Sequence, residues 1–452
     1  MKIEEKVKYF INEHHLLDKD KKYIVALSGG ADSVCLLLLL KKLHYQIEAA
    51  HCNFRLRGDE SYRDEEFCVN LCHALQIPLH RIHFETKEYA HLHKISIEMA
   101  ARDLRYSYFE NLRKDIQAEG ICIAHHQEDC VETILINMIR GTGIQGMRGI
   151  LPQNGHIIRP LLSIKRKDIE YYLQENKQNY VTDSTNLIND VQRNKIRLDI
   201  MPMLKQLNAG VVDNIYSTAQ HLTEANCIIN DAIKKYLTQH SIFSENEDFG
   251  LHSGYKKIRT ESIKNFSSPE YLLYYILSNY DFSGSQIEQI YKNLHGKSGK
   301  VWKSNSYELL IDRENLIIKR RTEILDKTIK IPEPGTYVFD ETSKVIINNI
   351  PIYKGFQPSK TAQIATLDAD KVKMPITIRL AKLGDRFQPF GMKGTKLISD
   401  LLTDLKKNLF EKQQQLVIED AKGNIIWVVG IRTDDRFKID SKTTNILKVE
   451  II

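Results

Sequence analysis

The sharpest chemical signal in the sequence is Leu27-Ser28-Gly29-Gly30-Ala31-Asp32-Ser33, placed between an apolar β-rich run and a leucine-rich helical stretch. Gly29 and Gly30 allow a backbone to approach a phosphate closely and to adopt positive φ. Ser28 and Ser33 add hydroxyls, and the start of the following helix adds free N–H groups. The loop therefore reads as an anion cradle. It lacks the lysine and spacing of GxxxxGK[ST], so it is not built to hold a γ-phosphate for transfer. A carboxylate beside a phosphate repels it unless a cation lies between them, so Asp32 predicts a bridging Mg²⁺. A plain strand-to-helix turn capped by Asp32 or Ser33 accounts for a bare Ser-Gly-Gly but poorly for the whole SGGxDS.

A second constellation is His125-His126-Gln-Glu-Asp129-Cys-Val-Glu132. Asp129 and Glu132 stand at i and i+3 near the start of a predicted helix and share one side of it. Such a pair can hold the ammonium of a small cationic substrate, complement the helix dipole, or accept a proton. Neighbouring histidines point to opposite sides of a strand end, which disfavours a two-histidine metal site; His125 is placed near a nucleotide and His126 in the structure. His51, Cys52 and Asn53 end another predicted strand and could line an adenine pocket. His73, His80, His83, His91 and His93 are scattered without ligand spacing. The glycine-rich basic stretch from Arg140-Gly-Thr-Gly143 to Arg148-Gly149 could close over substrate, touch an RNA phosphate, or simply connect two elements.

Short buried strands must carry these groups. Tyr23–Leu27, Ile47–His51, Leu79–His83 and Ile121–Ala124 read as strands, with helices at Ser33–Leu43, Glu60–Leu75, Ser96–Ala118 and Gln127–Ile139. Apolar strands separated by helix-length segments mean an open parallel α/β sheet covered on both faces, which binds ligands at the carboxyl ends of its strands. The alternation stops near Met201-Pro-Met-Leu and Asn208-Ala-Gly210. The domain expectation is therefore a catalytic α/β unit at 1–208, a small, mostly helical unit at 209–325 with paired β runs from Gly296 to Arg321, and an α+β unit at 326–452 with one helix near Lys396–Thr403.

Composition narrows the class. The 452 residues are 42% hydrophobic and 27% charged, an ordinary globular balance. The longest apolar run, Val34–Leu40, is far short of a membrane span. The start Met-Lys-Ile-Glu-Glu-Lys offers no export core, and seven cysteines without CxxC spacing fit a reducing compartment, so a cytoplasmic location is expected. The net charge of +6 permits a polyanionic partner without proving one. Lys393, Lys396, Lys406, Lys407 and Lys412 cluster among aromatic and glycine turns, as a phosphate-contacting patch or as a solvated face.

SGGxDS resembles the pyrophosphate-loop signature of the N-type ATP pyrophosphatases, whose domain is adenine nucleotide α-hydrolase-like. Within them the chain resembles the tRNA(Ile)-lysidine synthetases. The stretches concerned are His51-Cys-Asn-Phe-Arg-Leu-Arg-Gly58, Ser96-Ile-Glu-Met-Ala-Ala-Arg102 with Arg105-Tyr106, Ala124-His-His-Gln-Glu-Asp129 with Glu132-Thr133, Ile139-Arg-Gly-Thr-Gly143, Arg159-Pro-Leu-Leu162, Asp183-Ser-Thr-Asn186 and Arg193-Asn-Lys-Ile-Arg197. A weaker likeness covers Ile378–Phe387, Gly391–Leu397 and Ile426–Arg432. Phe54 stands where that family commonly has a second histidine, and Glu128-Asp129-Cys130 where it has Asp-Asp-Gln.

The resemblance implies an enzyme that adenylates C2 of the wobble cytidine in the CAU-anticodon tRNA(Ile) with ATP and Mg²⁺. Free L-lysine then displaces AMP, so that the tRNA reads AUA and is charged with isoleucine. It implies ATP contacts at Ser28, Gly29, Gly30, Ala31, Asp32, Ser33, His51, Asn53 and His125, and a metal at Asp32. Asp32, Arg105 and Arg197 take the catalytic roles, Asp129 and Glu132 bind lysine, and Arg140, Arg148, Lys393 and Lys396 meet tRNA. No membrane is expected, and a homo-oligomer is left open. The alternative is a sulfur-transferring 2-thiocytidine-type pyrophosphatase, which needs paired cysteines or an iron–sulfur cluster. Cys68 with Cys72, and Cys122 with Cys130, pair poorly. A noncatalytic tRNA-binding protein is the third reading.

Overall fold

A computed structural model describes residues 2–182, 192–240, 244–245, 255–321, 328–339, 343–353 and 355–452. Asp183-Ser-Thr-Asn186 lies outside them. The chain divides into two compact units, Met1–Asn230 and Asp231–Ile452.

The first unit opens with α1 (Ile3–Glu13), β1 (Lys22–Ala26), α2 (Ala31–Lys42), β2 (Gln46–Asn53), α3 (Asp59–Leu75), β3 (Leu79–His83), α4 (Thr86–His93) and α5 (Ile97–Asp115). It continues with β4 (Gly120–Cys122), α6 (Gln127–Ile139), α7 (Gly143–Met147), β5 (Gln153–Asn154), β6 (Ile157–Ile158) and α8 (Arg166–Glu175). The last helices are α9 (Gln192–Lys195), α10 (Met201–Leu207) and α11 (Val211–Gln239), with a π-helical turn, Ile196–Ile200, joining α9 to α10. The six strands lie in the order β3-β2-β1-β4-β6-β5. All neighbours are parallel except the β5–β6 pair.

Alternation along β1 explains the layers. Tyr23, Val25 and Leu27 enter the cluster built on α2 and α8, whereas Ile24 enters the opposite cluster with Phe109 and Leu112 of α5. Eight of the twelve α2 residues are buried. Burying each of Leu36, Leu37, Leu39 and Leu40, all 0% exposed, is worth about 1.5–3 kcal/mol relative to exposure. The turn preceding α2 is thus seated on a rigid helix. Strand order reverses at β1, since β2 lies on one side and β4 on the other. The loops leaving β1 and β4 flank that crevice, the usual ligand position in an open sheet.

The second unit has a sheet ordered β7-β8-β11-β10-β9, from β7 (Ser244–Glu245), β8 (Lys256–Arg259), β9 (Lys300–Lys303), β10 (Tyr307–Asp312) and β11 (Asn315–Arg320). The helices α12 (Thr260–Lys264), α13 (Pro269–Leu277) and α14 (Gly284–Lys292) accompany it. The paired β runs expected from Gly296 to Arg321 are β9, β10 and β11, with Leu309, Leu310, Ile311, Leu316, Ile317 and Ile318 buried and a hairpin with Arg313 at φ +54° between β10 and β11, while β7 and β8 give the 209–325 segment more sheet than a mostly helical reading. Further on, β12 (Ile329–Ile331), β16 (Ile376–Leu380), β19 (Leu416–Glu419), β20 (Ile425–Val428) and β21 (Arg432–Thr433) form one antiparallel sheet. A second is ordered β13-β14-β22-β15, from β13 (Gly335–Val338), β14 (Lys344–Pro351), β15 (Ile364–Asp368) and β22 (Asn445–Ile451). Residues of both sheets share one core, which includes Trp427, 2% exposed. A two-stranded ribbon, β17 (Arg386–Phe387) with β18 (Lys396–Leu397), leads into α15 (Ile398–Asp404) and then α16 (Leu409–Gln413). The helix expected at Lys396–Thr403 thus begins two residues later, after a strand.

Candidate active site

The loop after β1 has the geometry of an anion cradle. Gly29 adopts φ +89°, and a Cβ there would meet Cys68 Sγ at 3.3 Å and Phe67 and Val181 at 3.5 Å. The Val181 N–H donates to Gly29 O at 2.9 Å. Ser33 Oγ donates to Gly30 O at 2.9 Å and accepts from the Ser28 N–H at 3.2 Å, so both hydroxyl-bearing residues brace the turn. No side chain caps the α2 N-terminus at Gly30, which leaves its field for an anion.

Asp32, in the first turn of α2, is the hinge between this loop and a charged network. Its Oδ2 accepts from Arg166 Nη1 at 2.5 Å, while its buried Oδ1 has no hydrogen-bond partner among the described residues. Burial raises the Asp32 pKa, with His126 and Arg166 opposing. No group of three or more His, Cys, Asp or Glu able to hold a metal occurs among the described residues. The orphaned Oδ1 nonetheless fits Mg²⁺, which habitually takes one or two carboxylates and completes its shell with phosphate oxygens and water.

His126 sits at the centre. Its Nδ1 lies 3.0 Å from Glu128 Oε2, and its Nε2 lies 3.5 Å from Asp129 Oδ2 and 3.9 Å from Asp32 Oδ1. Burial works against the imidazolium, but Glu128, Asp129 and Asp32 outweigh it and raise the pKa. His126 therefore occupies the charged centre, a more central place than the structural role read from its sequence position, whereas His125 turns elsewhere. Arg159 Nε donates to His125 Nδ1 at 3.0 Å; a guanidinium has no acceptor, so that nitrogen is unprotonated. Burial pushes the His125 pKa down to about 4.

Beyond His126 lies the carboxylate pair on α6. Glu132, 2% exposed, accepts from Arg193 Nε at 2.8 Å and Arg197 Nε at 2.7 Å. Asp129 Oδ1 accepts from Arg193 Nη2 at 3.3 Å and Arg197 Nη2 at 3.4 Å. Its Oδ2 caps α6 through the His126 N–H at 3.0 Å. Burial raises the Asp129 pKa less than His126 and Arg193 lower it, so the group is held ionised. The π-helical turn carries Arg197, the kind of irregularity that recurs at functional sites. The two acids thus already face two arginines, so charges of both signs alternate within one cluster.

The remaining expected residues are dispersed. His51, 4% exposed, approaches Leu27 O with Nδ1 at 2.9 Å and so steadies the strand leading into the cradle. Asn53, 2% exposed, spends its amide on Glu65 Oε2 at 2.9 Å and Ser61 O at 3.3 Å. Arg105 is exposed on α5, its guanidinium 5.2 Å from the Phe54 ring centroid, and makes no ion pair among the described residues. Arg140 is exposed after α6. Arg148 follows α7 with its Nε buried and without a hydrogen-bond partner among the described residues. Lys393 is exposed, whereas Lys396 pairs with Asp404.

Sequence reasoning passed over Arg166, and it quoted Arg193, Arg159 and Glu128 within family-like stretches without giving them a role. Arg193 stands four residues before Arg197, the spacing of two side chains on one helical face, and that signal was available. Nothing local marks Arg166, whose partner Asp32 is 134 residues away.

Family models place these residues among known proteins. Residues 1–204 match a PP-loop domain, 252–321 the TilS substrate binding domain and 376–451 the TilS substrate C-terminal domain. Proteins named tRNA(Ile)-lysidine synthase are similar along the whole length. That of Bacteroides thetaiotaomicron is 41% identical over 450 residues, covering 100% of both chains. That of Parabacteroides distasonis is 39% identical over 452 residues, covering 99% of each. That of Porphyromonas gingivalis strain W83 is 34% identical, covering 96% of this chain and 95% of the other. With a pyrophosphate-loop cradle beside a buried acid–arginine cluster and likeness of this extent, the chain belongs to the tRNA(Ile)-lysidine synthase family.

Proposed function

We propose that the chain joins free L-lysine to C2 of the wobble cytidine of the CAU-anticodon tRNA(Ile), with release of AMP and pyrophosphate. The observation that carries this reading is the continuity from cradle to pocket: Asp32 at the phosphate loop, His126 between, and Asp129 and Glu132 with two arginines beyond. The cytidine C2 oxygen attacks the α-phosphorus of ATP and pyrophosphate leaves. The lysine ε-nitrogen then attacks C2, and the oxygen departs on AMP.

Ser28, Gly29, Gly30, Ala31 and Ser33 offer N–H and hydroxyl groups to the pyrophosphate. Bound at the Asp32 Oδ1, Mg²⁺ would supply positive charge against the departing pyrophosphate. Arg197 and Arg105 are assigned to the negative charge developing at the α-phosphate, where fixed cations are the largest catalytic term available. Asp129 and Glu132 take the lysine ammonium, and Arg193 suits its α-carboxylate. His51 and Asn53 hold the strand end beside the nucleotide, and neutral His125 can donate from Nε2.

Arg140, Arg148, Lys393 and Lys396 are assigned to tRNA phosphates. The three family-model matches support division into a catalytic part, a middle part and a C-terminal part close to 1–208, 209–325 and 326–452. No helix among the described residues is long and apolar enough to cross a membrane. A tRNA substrate favours the cytoplasm. The sulfur-transfer reading is less favoured, because the candidate pairs Cys68 with Cys72 and Cys122 with Cys130 are buried, with their thiol pKa values pushed up by burial, to about 11 for Cys72 and Cys130.

Products of ATP turnover test the proposal. With tRNA and lysine present, ATP labelled at the α-phosphate should give AMP with an equal amount of pyrophosphate. Formation of ADP would overturn it.

A further inference from the structure

Arg166 is a basic residue of the cradle that no sequence motif singled out. It is the first residue of α8, and its backbone N–H donates to Glu128 Oε2 at 3.0 Å, the same oxygen that meets His126 Nδ1 at 3.0 Å. Its Nε donates to Glu170 Oε1 at 2.8 Å, one helical turn along. Its Nη1 reaches Asp32 Oδ2 at 2.5 Å. The guanidinium is therefore gripped at Nε and presented to Asp32 at Nη1. One oxygen of Asp32 is tied down, and the other is buried without a hydrogen-bond partner among the described residues.

The loop poses an electrostatic problem that this geometry answers. A carboxylate within the first turn of α2 opposes the entry of a polyphosphate, and in a partly buried setting the repulsion is not screened away. A charge-assisted bond to a guanidinium offsets that charge and fixes which oxygen stays open. We propose that Arg166 is a positioning residue for nucleotide binding: the built-in counter-charge of Asp32, which lets the cradle accept ATP before any divalent cation and orients Oδ1 to receive one. The inference rests on the reading of this loop as an ATP site.

Two consequences follow from the charge arrangement. Without Arg166, Asp32 loses its hydrogen-bonded counter-charge and keeps only His126, 3.9 Å from Oδ1, so ATP binding comes to depend on the cation. Without the Asp32 charge, Arg166 has nothing to offset and its removal matters less.

Equilibrium binding of a fluorescent ATP analogue to the full chain tests this. In EDTA, R166A should weaken binding by about tenfold or more, while at saturating Mg²⁺ the loss should be about threefold or less, as expected if a cation replaces the missing charge. R166K, which keeps the charge but not the fork, should restore part of the EDTA binding. In a D32N background the R166A effect in EDTA should shrink to about threefold or less, the non-additivity that marks a direct coupling. Equal binding by wild type and R166A in EDTA would overturn the inference. So would an equal loss with and without Mg²⁺, or an undiminished effect in D32N, since either marks mere loss of structure. Wild type that binds no ATP in either condition would remove the ATP-site reading itself, and the inference with it.

Discussion

Glu132 is the residue on which the substrate pocket turns, because it is buried and receives both Arg193 and Arg197. The arginine side chains are 37% and 38% exposed, so solvent screens the pairs and the loss on Glu132→Gln is put at about 1–3 kcal/mol, below the cost of breaking a fully buried pair. The same substitution should raise the lysine KM at least about tenfold, the size expected of a lost charged contact, while tRNA adenylation proceeds. Asp32→Asn should instead abolish AMP formation. Rapid-quench measurement of adenylated tRNA separates the two, and equal loss in both variants would refute the division of roles. His125 gives a pH signature. Its pKa is depressed to about 4 from an unfolded value near 6.5, so its contribution is present above 6.5 and is lost as pH falls through that window, by about 3 kcal/mol in all. Urea unfolding at pH 7 and pH 5 should show a smaller drop for His125→Gln than for wild type; identical drops would contradict the assignment.

At the scale of elements, the loop after β1 and the start of α6 are braced by their own side chains, Ser33 in the first and Asp129 in the second, whereas the stretch after α6 is held by packing. Gly149, which ends the basic stretch after α6, has φ +66°, and a Cβ there would fall 2.6 Å from Cys130 Sγ and 2.8 Å from Ile134 Cγ1. Gly149→Ala should therefore cost about 2–4 kcal/mol from left-handed strain and overpacking, read as a lowered Tm. An unchanged Tm would show that this stretch is the loose connection that sequence alone allowed. Much of this layer was legible: apolar runs mark β1 to β4, the helix Gln127–Ile139 appears with the expected bounds, and the i, i+3 spacing of Asp129 and Glu132 places them together. The runs of β9, β10 and β11 are legible too, whereas β8, only four residues long and separated from its partner β11 by three helices, carries no such signal. The pairing of Arg166 with Asp32 spans 134 residues and of Arg193 with Glu132 spans 61, and no local period encodes such contacts.

For the whole molecule, the charge of +6 says less than which cations are spoken for. Lys407 is paired with Glu411 at 2.9 Å and Lys396 with Asp404, whereas Lys393 is exposed. If this face meets tRNA phosphates, Lys393→Ala should lower the slope of log affinity against log salt by about 1, and Lys407→Ala by clearly less. Equal slopes for wild type and Lys393→Ala would remove that lysine from the interface. The cradle, the charged bridge and the acid–arginine pocket have their joint meaning only if lysine ends on the tRNA. Incorporation of labelled lysine, with ATP, into a CAU-anticodon tRNA(Ile) and into the same tRNA carrying U at the wobble position tests that directly. The account predicts ATP-dependent label in the first and none in the second. Label in both, or in neither, would contradict it.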